Sequence, residues 1–382
     1  MAAESPEFGV LGTLEMRVGG TSIALGTPKQ RAVLAVLVLR RNGTVGMDTL
    51  IEAAWEHSPP AGARATMHSY ISNVRRLLAD AGVDPQAMLA NVAHGYRLTV
   101  SDENCDVGRF TAEKNAGLDA AAAGHFQDAS EHLSAALAQW RGPVLDDLRD
   151  FGFVRGYASS LVEDKLVVHT ARAQAEIVCG RTYSIINELE ELITEHRYRE
   201  PLWAQLITAY YVAERQSDAL DAYRRLKTTL ADDLGIDPGP TLRALHEQIL
   251  HQQPLDVDRA ARSAAKDTMV STVGGAHSPN GPTTIALRDP DGHLYPLLAV
   301  VTRIGRDAAN DIVLDDVKVS RNHAVIINTG AKLVITDLHS ANGIYVHGRR
   351  VGTSTTLNAN DTIRIGTHEL TLQTELPPSP DP

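Results

Sequence analysis

The stretch Arg303–Ile326, RIGRDAANDIVLDDVKVSRNHAVI, puts a serine three residues before a histidine and fourteen after an arginine that follows a glycine. Two chemistries use such residues. A nucleophilic serine needs a base within about 3 Å and a third group to orient that base. Ser320 and His323 stand at the entrance to an apolar run that reads as a strand, where an odd offset sends side chains to opposite faces. No Gly-x-Ser-x-Gly elbow surrounds the serine. Nucleophilic catalysis is therefore disfavoured, and the protein is expected not to be an enzyme.

An anion reader needs something else: a permanently charged guanidinium, a hydroxyl donor and amide donors, carried on loops of a rigid scaffold. Gly305-Arg306, then Ser320-Arg321-Asn322-His323, then Ser340-Ala341-Asn342-Gly343 supply these in order. Around them lie short, β-branched, alternating runs: TIALRD, YPLLAV, HAVIIN, KLVITDL, IYVHG, TIRIG and ELTLQ. Separated by turn residues, they predict an all-β sandwich over 283–376.

This constellation resembles the forkhead-associated (FHA) domain, whose signature is Gly-Arg, Ser-x-x-His and Asn-Gly on successive loops. The resemblance implies a phosphothreonine ligand. It maps Arg306 and Ser320 to phosphate contacts, Arg321 to an adjacent phosphate or peptide contact, and Asn342 to the peptide backbone. Gly305, His323 and Gly343 map to loop geometry, with His323 bracing the loop.

The 382 residues exceed one domain by a prior of about 100 to 200 residues each. The longest apolar run, AVLAVLVL at Ala32–Leu39, is far short of the ~18 residues a membrane helix needs. MAAESPEFG has neither a basic nor an apolar segment of a secretory signal, and the 2 cysteines form no zinc spacing. A cytoplasmic protein without membrane insertion, metal or other cofactor is expected.

Net charge is −11, but the acidity is uneven: residues 1–100 hold 9 Lys+Arg against 8 Asp+Glu, whereas 101–251 hold 15 against 25. Between Glu56 and Asp80 no acid occurs, while Arg64, Arg75 and Arg76 do. A local basic surface suffices for phosphate contact. In this N-terminal part FGVLG, LEMRVGG and TSIALG predict a small meander. Thr27-Pro28 caps a helix through Arg41; MDTLIEAAWEH and GARATMHSYISNVRRLLADAG follow as helices, and VAHGYRLTV as a hairpin turning at His94-Gly95. In the third helix Met67, Tyr70, Ile71, Val74, Leu77 and Leu78 form the apolar stripe. The other side is short-chained and donor-rich, suited either to a major groove or to plain solvation.

The order of elements and the strings YISNVRRLL and GYRL resemble the OmpR-type winged-helix domain, α+β in class. That resemblance implies double-stranded promoter DNA as partner. Thr66, His68, Ser72, Asn73, Arg75 and Arg76 become candidate contacts on the recognition helix, with Arg64 at its start and Arg97 on the wing. The domain is expected over 1–102.

The next region is Ala/Leu-rich and helical. Trp203, Leu206, Tyr210, Ala219 and Tyr223 follow the tetratricopeptide spacing. CDVGRF, ALAQWRGPVLDDL, REPLWAQLITAYY and QSDALDAYRRLKTTLADDLGIDPGPTLRALHEQIL resemble the bacterial transcriptional activation domain of antibiotic regulatory proteins. That predicts an all-α, TPR-like domain over 103–252. A flexible linker is expected at 253–282, with Thr268 and Thr272 as accessible candidates for modification, and a disordered tail at 377–382.

The chain as a whole resembles the antibiotic regulatory protein (SARP/AfsR) family in its branch ending in an FHA domain. This implies a DNA-binding regulator that docks on a phosphorylated Ser/Thr protein kinase and can engage RNA polymerase. The alternative is a kinase-binding modulator or inhibitor whose DNA binding is weak or lost.

Overall fold

A computed structural model describes residues 5–56, 58–273, 285–297, 301–330 and 332–373. The expected tail, His57 and the part of the expected linker from 274 onward lie outside these residues, as do the side chains of 270–273, Thr272 included. The chain divides into two compact units, residues 1–118 with 131–168, and 119–130 with 169–382.

The first unit opens with an antiparallel sheet, β1 (Glu7–Gly9), β2 (Glu15–Val18) and β3 (Thr21–Ser22). Helix α1 (Pro28–Leu39) starts where predicted, with Gln30 Oε1 accepting the Thr27 N–H at 3.0 Å. Ala32 to Val38 are all buried, which is why this helix shows an unbroken apolar run rather than a stripe. Strand β4 (Val45–Gly46), helices α2 (Met47–Trp55), α3 (Ala63–Asp80) and α4 (Pro85–Met88), and strands β5 (Leu89–Val92) and β6 (Gly95–Leu98) complete the winged helix. The second sheet runs β4-β6-β5. His94 takes the left-handed conformation at the hairpin tip, with φ 66°.

The buried carboxylate of Asp106 accepts the N–H groups of Val10 and Leu11, both at 2.8 Å, and pairs with Arg141 at 3.1 Å. It thus fastens the N-terminal meander to the start of α5 (Asp106–Ala123). Asp147 does the same nearby, accepting from Leu14 N and from Arg31. The winged helix and the first part of the helical region therefore share one packed unit.

Helices α6 (Phe126–Leu137), α7 (Gly152–Val178), α8 (Thr182–Glu195), α9 (Glu200–Val212), α10 (Gln216–Leu234) and α11 (Pro240–Leu250) follow. All five residues of the tetratricopeptide pattern are buried, with Trp203, Leu206 and Tyr210 on α9 and Ala219 and Tyr223 on α10.

The expected linker is helical over much of its length. Helix α12 (Val257–Val273) buries Ala261 and Ala265 against Ala121, Phe126, Ala129 and Ala175. The Ala-rich composition that reads as low complexity is also the strongest helix former, and alanines four apart let two helices lie close. Asp258 and Arg262 pair one turn apart at 2.7 Å, and the Arg262 guanidinium lies over Gly124, between α5 and α6. Thr268 is not an open acceptor: it is half-buried, its hydroxyl donating to Ala264 O at 2.8 Å.

The C-terminal sandwich pairs a five-stranded with a six-stranded sheet. The first runs β10 (Ile312–Val313), β9 (Val301–Gly305), β11 (Ala324–Asn328), β12 (Leu333–Asp337), β15 (Ser354–Leu357). The second runs β14 (Arg349–Arg350), β13 (Ile344–Val346), β16 (Thr362–Ile365), β17 (His368–Gln373), β7 (Ala286–Arg288), β8 (Leu294–Pro296). Ile304, Leu314, Ile326, Ile335, Ile344, Ile363 and Leu370 fill the space between. The β11–β12 hairpin meets the start of α9: Glu200 N donates to Thr329 O at 2.9 Å, and the buried Glu200 carboxylate accepts from Thr329 Oγ1 at 3.2 Å and from Gly239 N at 2.6 Å.

Candidate functional site

The three signature loops converge at one end of the sandwich. Arg306 N donates to Ser320 O at 3.0 Å and Asp307 N to Arg321 O at 3.1 Å, so the Gly-Arg and Ser-x-x-His segments are zipped side by side. Gly305 is required by this approach: a Cβ there would stand 2.1 Å from Arg321 O. The buried Asn310 amide completes the joint, donating to Asp307 O at 2.8 Å and Arg321 O at 2.7 Å.

His323 is fully buried and does not touch the serine hydroxyl. Its Nδ1 accepts the backbone N–H of Ser320 at 3.0 Å. Nε2 therefore carries the proton and donates to Gly343 O at 3.3 Å. One ring thus spans two loops. Gly343 holds φ +73°, and its N–H donates to Ser340 Oγ at 3.0 Å.

Ser320 Oγ accepts the N–H of Ala341 at 3.2 Å, which leaves its own proton to donate to an incoming anion. Asn342 Nδ2 donates to Lys318 O at 2.7 Å, and Oδ1 has no partner among the described residues. That oxygen can accept a peptide N–H. Arg306 and Arg321 are exposed, and neither pairs with a carboxylate among the described residues. Two guanidiniums without carboxylate partners, a hydroxyl and an amide oxygen on three adjoining loops are the kinds of group that a phosphorylated side chain and its backbone require.

The sequence reading missed two supports of this site. Asn310 is one. The other is Asp316, which accepts from Thr367 Oγ1 at 2.6 Å, Thr367 N at 2.7 Å and, through its other oxygen, Lys318 N at 2.8 Å. The Thr367 hydroxyl, then the Lys318 and Thr367 N–H groups, hold its carboxyl down at about 2. Polar residues in a loop carry no periodicity, so neither left a pattern to detect.

At the other candidate site, α3 buries Ala63, Met67, Ile71, Val74 and Leu78. Tyr70 is half-buried and stacks on Trp55 with ring centroids 5.8 Å apart. His68, Ser69, Ser72 and Arg76 are exposed on the open face, while Thr66 and Asn73 sit half-buried at its margin. Arg97 is exposed on the wing.

Four candidates already have partners, Thr66 among them with its hydroxyl donating to Gly62 O at 3.2 Å. Arg75 donates to Leu89 O at 2.7 Å and to Asn91 Oδ1 at 3.0 Å, and lies 5.9 Å from the centre of the Tyr96 ring. It ties the helix to the wing. His68 Nδ1 meets Tyr96 Oη at 2.9 Å, and Arg64 pairs with Asp48 at 2.7 Å in an exposed bridge.

Among the described residues no group of His, Cys, Asp and Glu could hold a metal ion, and no helix is long and apolar enough to cross a membrane.

Comparison with known proteins places the three regions. Residues 20–98 match the family described as transcriptional regulatory protein, C terminal; 105–250 match the bacterial transcriptional activator domain; 302–366 match the FHA domain. The chain is 59% identical over 369 residues to the transcriptional regulatory protein EmbR of Mycobacterium tuberculosis, covering 96% of this chain and 95% of that one. It is 50% identical over 298 residues to the transcriptional regulatory protein MoaR1 of the same organism, 77% of this chain and 93% of the relative. A solved structure of M. tuberculosis EmbR in complex with a low affinity phosphopeptide superposes with TM-score 0.75 at 57% identity, covering 99% of this chain and all of that one.

Proposed function

We propose, from the premise that the chain belongs to the EmbR-type family of SARP transcriptional regulators, that it reads promoter DNA through α3 and the β5–β6 wing and is controlled by docking on a phosphothreonine of a Ser/Thr protein kinase. The family is one of transcriptional regulators with a phosphopeptide-binding FHA domain, not of enzymes. Cytoplasmic placement and contact with RNA polymerase belong to the same proposal.

The observation that carries the kinase reading is the open end of the sandwich, where Arg306, Ser320, Arg321 and Asn342 present unused donors and one acceptor on loops locked by His323. That the EmbR relative was solved with a phosphopeptide supports the ligand class. Footprinting on promoter DNA with the full chain, with and without phosphorylated kinase, tests the whole reading. Kinase-dependent occupancy that disappears with Arg306→Ala is the expected result; occupancy indifferent to both overturns it.

One observation favours the second reading, a kinase-binding modulator with weak DNA binding. With Arg75 held by the wing and Arg64 by Asp48, Arg76 and Arg97 are the cations left open on the DNA-facing elements. A shallow salt dependence of DNA affinity, well below one phosphate contact per candidate cation, marks that case.

A further inference from the structure

We propose that Arg350, with Arg349 beside it, forms a second anion position next to the phosphothreonine clamp and takes an acidic side chain or a second phosphate of the same partner. The proposal rests on the phosphothreonine reading above.

Strand β14 is the edge of the six-stranded sheet and pairs with β13, which leads directly out of the Asn342 loop. The Arg350 side chain turns back onto that loop. A Cβ built on Gly343 would stand 2.7 Å from Arg350 Nε and 3.2 Å from one terminal nitrogen, so the guanidinium lies flat over the glycine that follows Asn342. Gly343 thus provides both the left-handed turn and a floor for the cation.

Cross-strand register puts Arg350, Tyr345 and Arg364 on one face, since Tyr345 faces Arg350 on one side and Arg364 on the other. Arg364 lies 4.0 Å from the Tyr345 ring centre, and Glu369 is its next neighbour in register. Arg364 is thus engaged with the Tyr345 ring. Arg349 and Arg350 are exposed, with no ion pair among the described residues. A charged edge strand guards against pairing with another sheet, but that role needs no arginine laid over Gly343.

The distance is short. Ala341 N touches the phosphate-side Ser320 hydroxyl, and Gly343 is two residues further along the same loop. An extended peptide advances ~3.3 Å per residue, so a group about two to four residues from the phosphothreonine reaches Arg350. Carboxylate and phosphate both match the planar fork of a guanidinium.

Calorimetry with the full chain tests this, using a phosphothreonine peptide with neutral neighbours, versions with Asp two to four residues to either side, and versions with a second phosphothreonine there. The added anion should tighten binding about three- to tenfold at ~0.1 M salt, the scale of a partly exposed charge-assisted pair. Arg350→Gln and the double variant with Arg349→Gln should lose that gain while binding the neutral peptide unchanged, which also reports an intact fold. A gain with Asp assigns a carboxylate partner; a gain confined to the doubly phosphorylated peptide assigns a second phosphate. Equal binding of all peptides by the wild type, or a gain that survives Arg350→Gln, overturns the proposal alone. Failure of every phosphopeptide to bind overturns the phosphothreonine reading and this proposal with it.

Discussion

His323 holds the main chain of Ser320, accepting its backbone N–H on Nδ1 at 3.0 Å, while the serine hydroxyl faces away to Ala341 N at 3.2 Å. The two residues belong to one device without sharing a proton path. The hydroxyl stays free to donate to an anion because the histidine serves the loop and not the oxygen.

Arg306→Ala is expected to abolish phosphothreonine-peptide binding, a loss of at least about 2 kcal/mol, the scale of a charge-assisted pair at a site centre. The side chain is exposed, so the melting temperature should stay where it is. Calorimetry with the phosphopeptide, paired with a thermal scan, gives both readings; retained affinity removes Arg306 from the site.

His323→Ala should behave oppositely. It deletes a fully buried ring and two hydrogen bonds, one to each loop, and should cost about 2–4 kcal/mol of stability along with peptide binding. Denaturant unfolding measures the first. An unchanged midpoint would mean that the loops hold together without the ring.

Arg75 and Arg76 are neighbours in sequence with different surroundings, Arg75 bonded to the wing and Arg76 exposed. Arg76→Ala should weaken DNA binding and lower the salt slope by about one unit, with stability unchanged. Arg75→Ala should destabilise by about 1–3 kcal/mol, because its guanidinium holds Leu89 O and Asn91. Gel-shift titration against salt and urea unfolding of each variant separate the two; if both variants bind DNA as the wild type does, α3 is not the reading helix.

Asp316 sets a pH dependence. Its carboxyl is depressed to about 2 in the folded chain by the Thr367 hydroxyl and the Lys318 and Thr367 N–H groups. A depressed acid stabilises the fold above its unfolded pKa of roughly 4, and this is lost as pH falls through the folded value. The stability gap between wild type and Asp316→Asn should therefore be full at pH 5–7 and close on the way to ~pH 2. Urea midpoints across that range would show it; a gap independent of pH would contradict it.

Glu200→Ala should loosen the sandwich from the helices. Removing this buried carboxylate leaves Gly239 N without its side-chain acceptor and takes from Thr329 Oγ1 one of its acceptors, another being Lys332 O at 3.3 Å, at a cost of about 1–3 kcal/mol. Hydrogen exchange at the β11–β12 hairpin should rise locally, and uniform protection would count against the bond's importance.

How much of this could be read beforehand depended on whether a residue sits in a pattern. The sandwich and its signature loops were legible because alternation and fixed spacing carry them, and the five tetratricopeptide positions because all are core. Helix α12 was read as linker because alanine signals both low complexity and helix, and only the burial of Ala261 and Ala265 tells them apart. Arg75 is a candidate DNA contact by its place on the helix, but its bond to Leu89 O, fourteen residues away across a turn, leaves no trace in helical spacing. Asn310 and Asp316 are single polar loop residues that only the folded backbone gives a role.

The β11–β12 hairpin meets α9 at its tip, while Ser320 and Asn342 lie just outside the opposite ends of those strands, about five residues or ~17 Å away, with Arg306 at the end of neighbouring β9. A phosphopeptide held at the loops, as proposed, would share no residue with the joint that Glu200 makes to Thr329 and Gly239, so the ligand and the helical region would take hold of the sandwich through separate groups.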